Sequence, residues 1–436
     1  MNQINNEWMF FSQADYNEAV KWRRQFHQYP QATWMEFFAT GFIAEKLADW
    51  GYTLLLGKNI IDEAYQMMPP PVDLARQQYE MALAAGIKEK YIISAQGGFT
   101  GVVAILEGAL PGPVVAFRFD IDSNTVEEST AISHRPFATG FASKNSGYAH
   151  MCGHDAHAAI GLMLAKYFRE HQKELRGTVK FIFQPNEENL SGARAMVNKG
   201  IVDDVDYLFA GHVGLNATTL GEIALNVHSF MAMSRFIVNY KGRPAHAAFR
   251  PNEGKNALLG ACSAIENLYA IARHGDGASR INVGMLQAGT TWNVIPEHAK
   301  FYLEVRGVSN EINEYMVKRS NEVINGAAKM HDLAIEIQAA AAGLAGKNYE
   351  DMVKVGTDVA NNLPSVTGII DDCAFNASED ITVFMDRVQT QGGKSLFVLF
   401  GTPIGGGHHN ASFDIDERVI GNGADFFVAM YYKVTK

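Results

Sequence analysis

The octapeptide HMCGHDAH, residues 150–157, holds one thiol, three imidazoles and one carboxylate. Gly153 permits a tight turn at its centre, so that the flanking Cys152 and His154 can face one point. The structural alternative is a solvated loop or a helix start that Asp155 caps. Because so many polar groups in one turn would need partners if no cation were present, the octapeptide favours a metal site.

Length and composition describe a globular chain of more than one domain. The sequence has 436 residues, of which 47% are hydrophobic and 19% are charged, and a chain of this length usually forms two domains. The net charge of −10 and the lack of any Lys/Arg run argue against nucleic acid and membrane surfaces as partners and favour a small-molecule substrate. Three widely spaced cysteines indicate a reducing compartment, by default the cytoplasm. Residues 1–16 resemble neither a signal peptide nor a membrane span, and no later apolar run reaches spanning length.

Residues suited to metal binding or proton transfer follow the predicted strands. Several apolar runs predict buried strands, and helices such as the one expected from Ala156 to His171 separate them. Open α/β sheets bind their ligands at the carboxyl ends of the strands, so one sheet edge should gather these residues. The strands are Val114–Phe119, Thr178–Gln184, Tyr207–Gly211 and Ser395–Gly401, followed respectively by Asp120, by Glu187 and Glu188, by His212, and by His408 and His409.

Two segments interrupt this pattern. Residues 229–341 read strand, helix, strand, strand, helix, strand, the order of a ferredoxin-like α+β domain, inserted into a larger domain of residues 1–228 and 342–436. Residues 57–98, with three consecutive prolines and then a helix-like run, read as an insertion within the larger domain. The Pro111-Gly112-Pro113 sequence reads as a turn between two strands. The expected fold is α/β, with a mixed sheet flanked by helices and a second, smaller inserted domain.

Five metal donors of three kinds are available, about the number that two ions with one shared ligand require. Thiolate and imidazole favour zinc, whereas the carboxylate also allows manganese or cobalt. One member of the adjacent glutamate pair can bind metal while the other, for which we favour Glu187, deprotonates a water molecule. Two solvated carboxylates in a loop are the alternative. The donors are Cys152, His154, Glu188, His212 and one of His408 and His409.

Three residues of the smaller domain are further candidates, each with a plain alternative. His246 is by itself more typical of a surface histidine. Arg306, at the end of a predicted strand, could clamp a carboxylate with its guanidinium or remain a solvated charge. Asn293 could donate a hydrogen bond to a developing oxyanion or simply hold a turn.

Taken together, these motifs resemble those of the two-metal amidohydrolases and peptidases, a family that includes aminoacylase-like enzymes, hippurate hydrolase and plant indoleacetyl-amino-acid hydrolases. The similarity is greatest to the members that cleave p-aminobenzoyl-glutamate, and it extends over nearly the whole chain. Asn186 and Asn189 depart from the family pattern, which usually has Ala and Gly beside the glutamate pair. The matching segments are His150–His157 (H-x-C-G-H-D-x-H), Phe183–Glu188 (F-Q-P-x-E-E), Ala245–Ala247, Asn293–Pro296 (N-V-[IV]-P) and Gly407–Phe413.

The resemblance implies a metallopeptidase-like catalytic domain that binds two divalent ions per subunit, zinc or manganese. His409 is preferred over His408 as a ligand because the family's histidine stands four residues before an aromatic residue, here Phe413. His150, Asp155 and His157 are then supporting residues. The implied ligands are Cys152, which bridges the two ions, His154, Glu188, His212 and His409.

The resemblance also implies roles for the remaining candidates. Glu187 corresponds to the general base, and His246 to a histidine of a dimerisation or lid domain that reaches the site of a neighbouring subunit. Asn293 and Arg306 would contact the scissile carbonyl and the substrate carboxylate. The implied reaction is hydrolysis of an N-acyl amino acid, with p-aminobenzoyl-glutamate as the best candidate, by a homodimer or a heterodimer with a related chain. A broader aminoacylase or dipeptidase, and a non-catalytic partner subunit that retains the fold, are the alternatives.

Overall fold

The computed structural model describes residues 8–436, which divide into two compact units. The first unit comprises the described residues up to His228, together with Lys347–Phe375 and Val383–Lys436. The second unit comprises Ser229–Gly346 and Asn376–Thr382. The prediction that residues 1–16 form neither a signal peptide nor a membrane span falls partly on residues 1–7, which lie outside the described residues. Between residues 8 and 436, no helix combines the length with the apolar composition that a membrane span requires.

The helices and strands are numbered along the chain. The α-helices of the described residues are α1 (Gln13–Gln28), α2 (Phe37–Asp49), α3 (Val72–Ala84), α4 (Arg135–Ala138), α5 (His154–Glu170), α6 (Gly192–Val197), α7 (Ala257–Tyr269), α8 (Asn310–Met330), α9 (Glu350–Ala360), α10 (Ile381–Thr390) and α11 (Val419–Val434). The strands are β1 (Thr53–Leu55), β2 (Val102–Glu107), β3 (Leu110–Asp120), β4 (Arg176–Gln184), β5 (Tyr207–Val213), β6 (Glu222–Ala224), β7 (Val227–His228), β8 (Ala232–Lys241), β9 (Ser279–Ala288), β10 (His298–Gly307), β11 (Ala334–Gly343), β12 (Gly368–Ile370), β13 (Cys373–Ala374), β14 (Lys394–Phe400), β15 (Ile404–Gly405) and β16 (Asp414–Ile415).

The first unit is built on an eight-stranded mixed sheet with the strand order β1-β2-β4-β3-β5-β14-β6-β12. Strand β3 is parallel to both β4 and β5, and β5 is parallel to β14. Direction reverses toward the edges, where β2 is antiparallel to β4 and β6 is antiparallel to β14. The four central parallel strands therefore end at one edge of the sheet, and the residues that follow them lie side by side.

Aromatic side chains join the central strands to the helices that cover them. The ring of Phe117 on β3 packs 5.8 Å from that of Phe168 on α5 and 5.6 Å from that of Phe427 on α11, centroid to centroid. Helix α5 approaches the sheet closely, since a Cβ at Gly161 would lie only 2.6 Å from the Phe183 ring. Small residues thus let α5, which carries the octapeptide at its start, pack directly on the sheet.

The second unit has the element order β8-α7-β9-β10-α8-β11, and its antiparallel sheet has the strand order β11-β8-β10-β9. Burial alternates along β10, where Phe301, Leu303 and Val305 are buried. These side chains belong to the same core as Met316 and Ile324 of α8. One face of the sheet is therefore covered by the helices, as expected for an antiparallel sheet of alternating pattern.

The structure corrects three local predictions. Helix α5 begins at His154 rather than Ala156, and its N-cap residue is Gly153 rather than Asp155. Residues 111–113 are not a turn, because they lie within β3, whose register shifts between Leu110 and Val114; prolines are accommodated at such irregularities near the start of a strand. Strand β5 continues to Val213, so His212 lies within the strand and not after it.

Candidate metal centre

The octapeptide turns at Gly153 into helix α5. Gly153 has a φ of +98°, and a Cβ there would lie 2.4 Å from Cγ2 of Val213, so both conformation and space require glycine. The turn brings Cys152 and His154 beside His212 of β5, and all three are buried. Their donor atoms lie within 4.8 Å of one another, which is close enough to share one metal ion.

The imidazole of His154 is oriented so that one nitrogen is available to a metal. Its Nδ1 lies 3.1 Å from both the backbone carbonyl oxygen and Oδ1 of Asp122. A carbonyl oxygen can only accept, so Nδ1 carries a hydrogen and Nε2 is the nitrogen that is left to bind a metal. Nε2 is buried and has no hydrogen-bond partner among residues 8–436. A carboxylate behind an imidazole is the usual support of a metal-binding histidine.

His212 has the same orientation. Its Nδ1 donates to the carbonyl oxygen of Val213 at 2.8 Å, which leaves the lone pair on Nε2, and Nε2 lies 3.3 Å from Sγ of Cys152. Both histidines of this group therefore point Nε2, the nitrogen that could bind a metal, toward the space beside the thiol.

A second group of donors contains Cys152, Glu188 and His409, whose donor atoms also lie within 4.8 Å of one another. Nε2 of His409 is 3.3 Å from Oε2 of Glu188. The other oxygen, Oε1, is buried and has no hydrogen-bond partner within the described part of the chain. Cys152 is common to both groups, which is the position that a bridging ligand requires.

Glu187 is buried and its Oε2 lies 3.9 Å from Nε2 of His154. The loop that carries it is held by the two asparagines that depart from the family pattern. Asn186 has a φ of +54°, a conformation that asparagine tolerates better than alanine, and its Nδ2 donates to Oγ of Ser191 at 2.6 Å. Asn189 in turn donates to Oδ1 of Asn186 at 2.8 Å.

His408 belongs to the same site but is engaged differently. Its Nδ1 lies 3.5 Å from Sγ of Cys152, and its Nε2 accepts the backbone N–H of Leu215 at 3.0 Å. Burial, and then the charge of the neighbouring His409, lower the pKa of His408 to about 4. Both nitrogens of this imidazole are therefore occupied.

The site has an excess of negative charge. Burial raises the pKa of the Cys152 thiol, and the carboxylate of Glu188 raises it further. Burial opposes the ionisation of His154, but Asp120 and Asp122 outweigh it and raise the pKa of His154 to about 10. A cation between these groups would replace the proton on His154 and stabilise the thiolate. The donor set, in which Nε2 of His154 and Oε1 of Glu188 have no hydrogen-bond partner among residues 8–436, fits divalent metal ions.

Two further members of the octapeptide contact the surrounding structure instead of the donors. Nδ1 of His157 lies 2.5 Å from Oδ1 of Asp120, and its Nε2 accepts the backbone N–H of Val213. Asp155 accepts from Nε of Arg23 at 2.8 Å and lies 2.8 Å from Nδ1 of His27. The octapeptide is thereby fixed to β3, β5 and helix α1.

A buried ionic network extends from Asp155. The Arg23 side chain is completely buried and also donates to Asp414 and Glu417. The motifs identified in the sequence include neither Arg23 nor His27. The four-residue spacing of these two basic residues, which places them on one face of α1, is the signal that could have found them. Asp122 was missed as well, although it follows Asp120 at the end of a predicted strand.

The three candidates of the second unit each form hydrogen bonds within that unit. His246 is exposed, and its Nδ1 accepts the backbone N–H groups of Ala248 and Phe249, so that Nε2 carries the hydrogen. Asn293 lies on the adjoining segment, and its backbone carbonyl oxygen accepts the backbone N–H of Ala247. Nε of Arg306 donates to Oε1 of Glu304 at 2.7 Å, so this guanidinium is paired on one side.

Comparison with known proteins identifies the family. The profile of Peptidase family M20/M25/M40 matches residues 116–433. The chain is 42% identical to a p-aminobenzoyl-glutamate hydrolase subunit of Escherichia coli (strain K12), over 92% of each chain. It is also 42% identical to the indole-3-acetyl-aspartic acid hydrolase of Enterobacter agglomerans, again over 92% of each chain. The crystal structure of the aminobenzoyl-glutamate utilization protein from Klebsiella pneumoniae superposes with a TM-score of 0.81 at 35% identity, over 95% of each chain. The resemblance inferred from the motifs is therefore confirmed, and the chain belongs to peptidase family M20/M25/M40.

Proposed function

We propose that this chain hydrolyses the amide bond of an N-acyl amino acid and that it requires two divalent metal ions. The observation that carries the proposal is the convergence of five metal donors next to the carboxylate of Glu187. A non-catalytic subunit that only retains the fold would have no need for a complete ligand set together with a base. The three cysteines are unpaired, which supports a cytoplasmic enzyme.

Cys152, His154 and His212 would hold one ion, and Cys152, Glu188 and His409 the other; donors of these types suit zinc or manganese. When bound, the ions would polarise the scissile carbonyl group and lower the pKa of water. Glu187 removes a proton from the water molecule as the oxygen of that water attacks the carbonyl carbon. The same carboxyl group returns the proton to the nitrogen as the carbon–nitrogen bond breaks, which releases a carboxylic acid and an amino acid.

The substrate that we propose first is p-aminobenzoyl-glutamate. The names of the two relatives above, p-aminobenzoyl-glutamate hydrolase and indole-3-acetyl-aspartic acid hydrolase, both describe an aromatic acyl group joined to a dicarboxylic amino acid. A chain 42% identical to each of them is suited to the same class of compound. A broader aminoacylase or dipeptidase remains the alternative that a substrate panel would reveal.

The second unit is proposed to act as a ferredoxin-like dimerisation or lid domain, which its βαββαβ order supports. In this proposal the exposed Nε2–H of His246, together with Asn293, stabilises the oxyanion that forms on the carbonyl oxygen of a substrate bound to a neighbouring subunit. Arg306 holds the free carboxylate of the amino-acid half of the substrate. The neighbouring subunit is a second copy or a related chain, and the word "subunit" in the name of the Escherichia coli relative supports the latter.

Substitution of each glutamate of the pair separates the base from the ligand. Glu187→Gln should retain two metal equivalents and lose about 10²–10⁴-fold in kcat, the usual contribution of a general base. Glu188→Gln should lose metal, measured by elemental analysis after dialysis, because one ion loses its carboxylate. Near-normal turnover in Glu187→Gln, or full metal content in Glu188→Gln, would contradict the assignment.

A panel of amides tests the substrate class. We expect kcat/KM to be highest for p-aminobenzoyl-glutamate and indoleacetyl-aspartate and lower for N-benzoylglycine and unblocked dipeptides. Arg306→Ala should raise KM for acyl-glutamate, whereas Arg235→Ala, which removes the other arginine that pairs with Glu304, should not. Equal effects of the two substitutions would show that Arg306 acts only through the fold of its unit.

A further inference from the structure

We propose that His408 is a positioning residue that donates a hydrogen bond from Nδ1 to the thiolate of Cys152 and thereby sets the affinity of the site for metal. The inference rests on the proposed function, in which Cys152 is a metal ligand. It assigns a separate role to each of the two adjacent histidines, His408 and His409.

The position of the hydrogen on His408 follows from its backbone partner. An N–H group can only donate, so the N–H of Leu215, 3.0 Å from Nε2 of His408, requires the lone pair to be on Nε2. The hydrogen of the neutral imidazole is then on Nδ1, and Nδ1 faces Sγ of Cys152 at 3.5 Å. This distance suits an N–H···S hydrogen bond, because sulfur is larger than oxygen.

The two imidazoles beside the sulfur have the same tautomer, with the hydrogen on Nδ1, but turn opposite nitrogens toward the sulfur. His212 gives its Nδ1 hydrogen to the carbonyl oxygen of Val213, so its Nε2, 3.3 Å from Sγ, cannot donate to the thiolate. His408 can donate but has no lone pair left for a metal. One imidazole is thus suited to bind an ion beside Cys152, and the other to stabilise the charge on its sulfur.

The backbone that orients His408 is itself constrained. Gly214 and Leu215 have φ values of +76° and +55°, and the N–H of Gly214 donates to the carbonyl oxygen of Phe400 at the end of β14. A Cβ on Gly214 would lie 3.1 Å from Nε2 of His408, so glycine lets the turn approach the imidazole. The ring also packs against that of Phe413, 5.0 Å away between centroids.

A hydrogen bond to a thiolate has two measurable effects. It stabilises the negative charge on the sulfur of a metal-bound Cys152, so the metal-bound form of the site is favoured. It also lowers the energy of the sulfur lone pairs, so that the thiolate-to-metal charge-transfer absorption lies at higher energy. Loss of the donor should therefore weaken metal binding about 10–100-fold, as for other residues that support metal ligands, and shift the absorption to longer wavelength.

Two substitutions of nearly equal polarity separate the donor from the rest of the side chain. The amide of Asn can occupy the place of Nδ1 and keep a donor to the sulfur. The amide of Gln reaches the place of Nε2, where its oxygen can accept from Leu215, and leaves the sulfur without a donor. His408→Asn should match the wild type in metal affinity and in the position of the charge-transfer absorption, whereas His408→Gln should bind metal more weakly and absorb at longer wavelength. The melting temperatures of both variants report whether the turn is preserved.

The experiment uses the full-length protein, freed of metal and titrated with Co²⁺, and follows the near-ultraviolet charge-transfer band and the dissociation constant. We expect a band in the wild type and in His408→Asn, with dissociation constants within about threefold, and a red-shifted band with weaker binding in His408→Gln. A His408→Gln variant that behaves like the wild type, or a His408→Asn variant as impaired as His408→Gln, would overturn the inference. Absence of the band from the wild type would instead refute Cys152 as a ligand, and with it the proposed metal site.

Discussion

Replacement of Arg23 by methionine tests how the turn that carries the metal donors is held in place. The guanidinium is fully buried and lies 2.8 Å from Asp155, 3.1 Å from Asp414 and 3.2 Å from Glu417. In Arg23→Met the latter two carboxylates keep Arg135 as a partner. Asp155, which is 0% exposed, keeps only His27, at 2.8 Å, as a side-chain partner among residues 8–436, so the cost falls mainly on the loss of the guanidinium from this buried carboxylate.

Removal of one partner of a buried ion pair typically costs about 3–5 kcal/mol, and methionine replaces most of the lost volume. We expect the free energy of unfolding of the first unit to fall by this amount. Arg24→Met is the matched control, because Arg24 pairs with the same Glu417 at 2.7 Å but is 40% exposed, and such pairs contribute below about 1 kcal/mol.

Guanidinium unfolding followed by tryptophan fluorescence measures the difference, since Trp8, Trp22, Trp34 and Trp50 lie in the first unit and only Trp292 in the second. The midpoints of the two variants are compared at equal slope. A loss below about 1 kcal/mol in Arg23→Met, or equal losses in both variants, would refute the reasoning that burial makes the Arg23 interactions strong.

Further predictions concern packing, pH and metal. Gly161→Ala should lower the free energy of unfolding by about 1–3 kcal/mol through overpacking against Phe183, whereas Gly326→Ala, whose Cβ meets no neighbour, should leave it unchanged or higher in thermal melts. Burial opposes the charge on His27, but hydrogen bonds to its two carboxylate partners raise its pKa above 6.5. The stability that the charged imidazole contributes is therefore present below pH 6.5 and is lost as the pH rises through the folded pKa. His27→Gln should flatten the alkaline side of the stability profile. Burial raises the pKa of Glu417, yet its arginine partners hold it at about 2, so stability from this carboxylate is present above about pH 4.5 and lost as the pH falls toward 2. A chelator should lower the melting temperature, and added Zn²⁺ or Mn²⁺ should restore it.

The elements that position the site were predictable because their patterns are local. Runs of Val, Phe and Ile bounded by turn residues identified the strands that became β3, β4, β5 and β14, and their carboxyl ends gather the donors as expected. The strand order was not predictable, since β3 lies between β4 and β5, an arrangement that no local pattern encodes. Helix α10, which follows a polar segment, was not predicted either.

The donors of the site were found by residue type, whereas the groups that orient them were not. Arg23 and Asp155 are 132 positions apart, and His154 and the carboxylate of Asp122 are 32 apart. Such pairs depend on the packing of α1 and β3 against the start of α5, and a single sequence carries no sign of which distant charge will be the partner. The φ of +98° at Gly153 similarly became meaningful only once Val213 was seen next to it.

The two donor groups differ in their access to solvent, and this difference bears on the rate at which each position would exchange its ion. Cys152, His154 and His212 are all buried, whereas the side chain of His409 is 57% exposed. An ion leaving the first group must separate from donors fixed by the backbone and by buried carboxylates, while an ion in the second can be released when one exposed imidazole swings away. We therefore expect metal loss in two kinetic phases, with the position that includes His409 emptied first and refilled first, and catalysis limited in metal-poor conditions by that position alone.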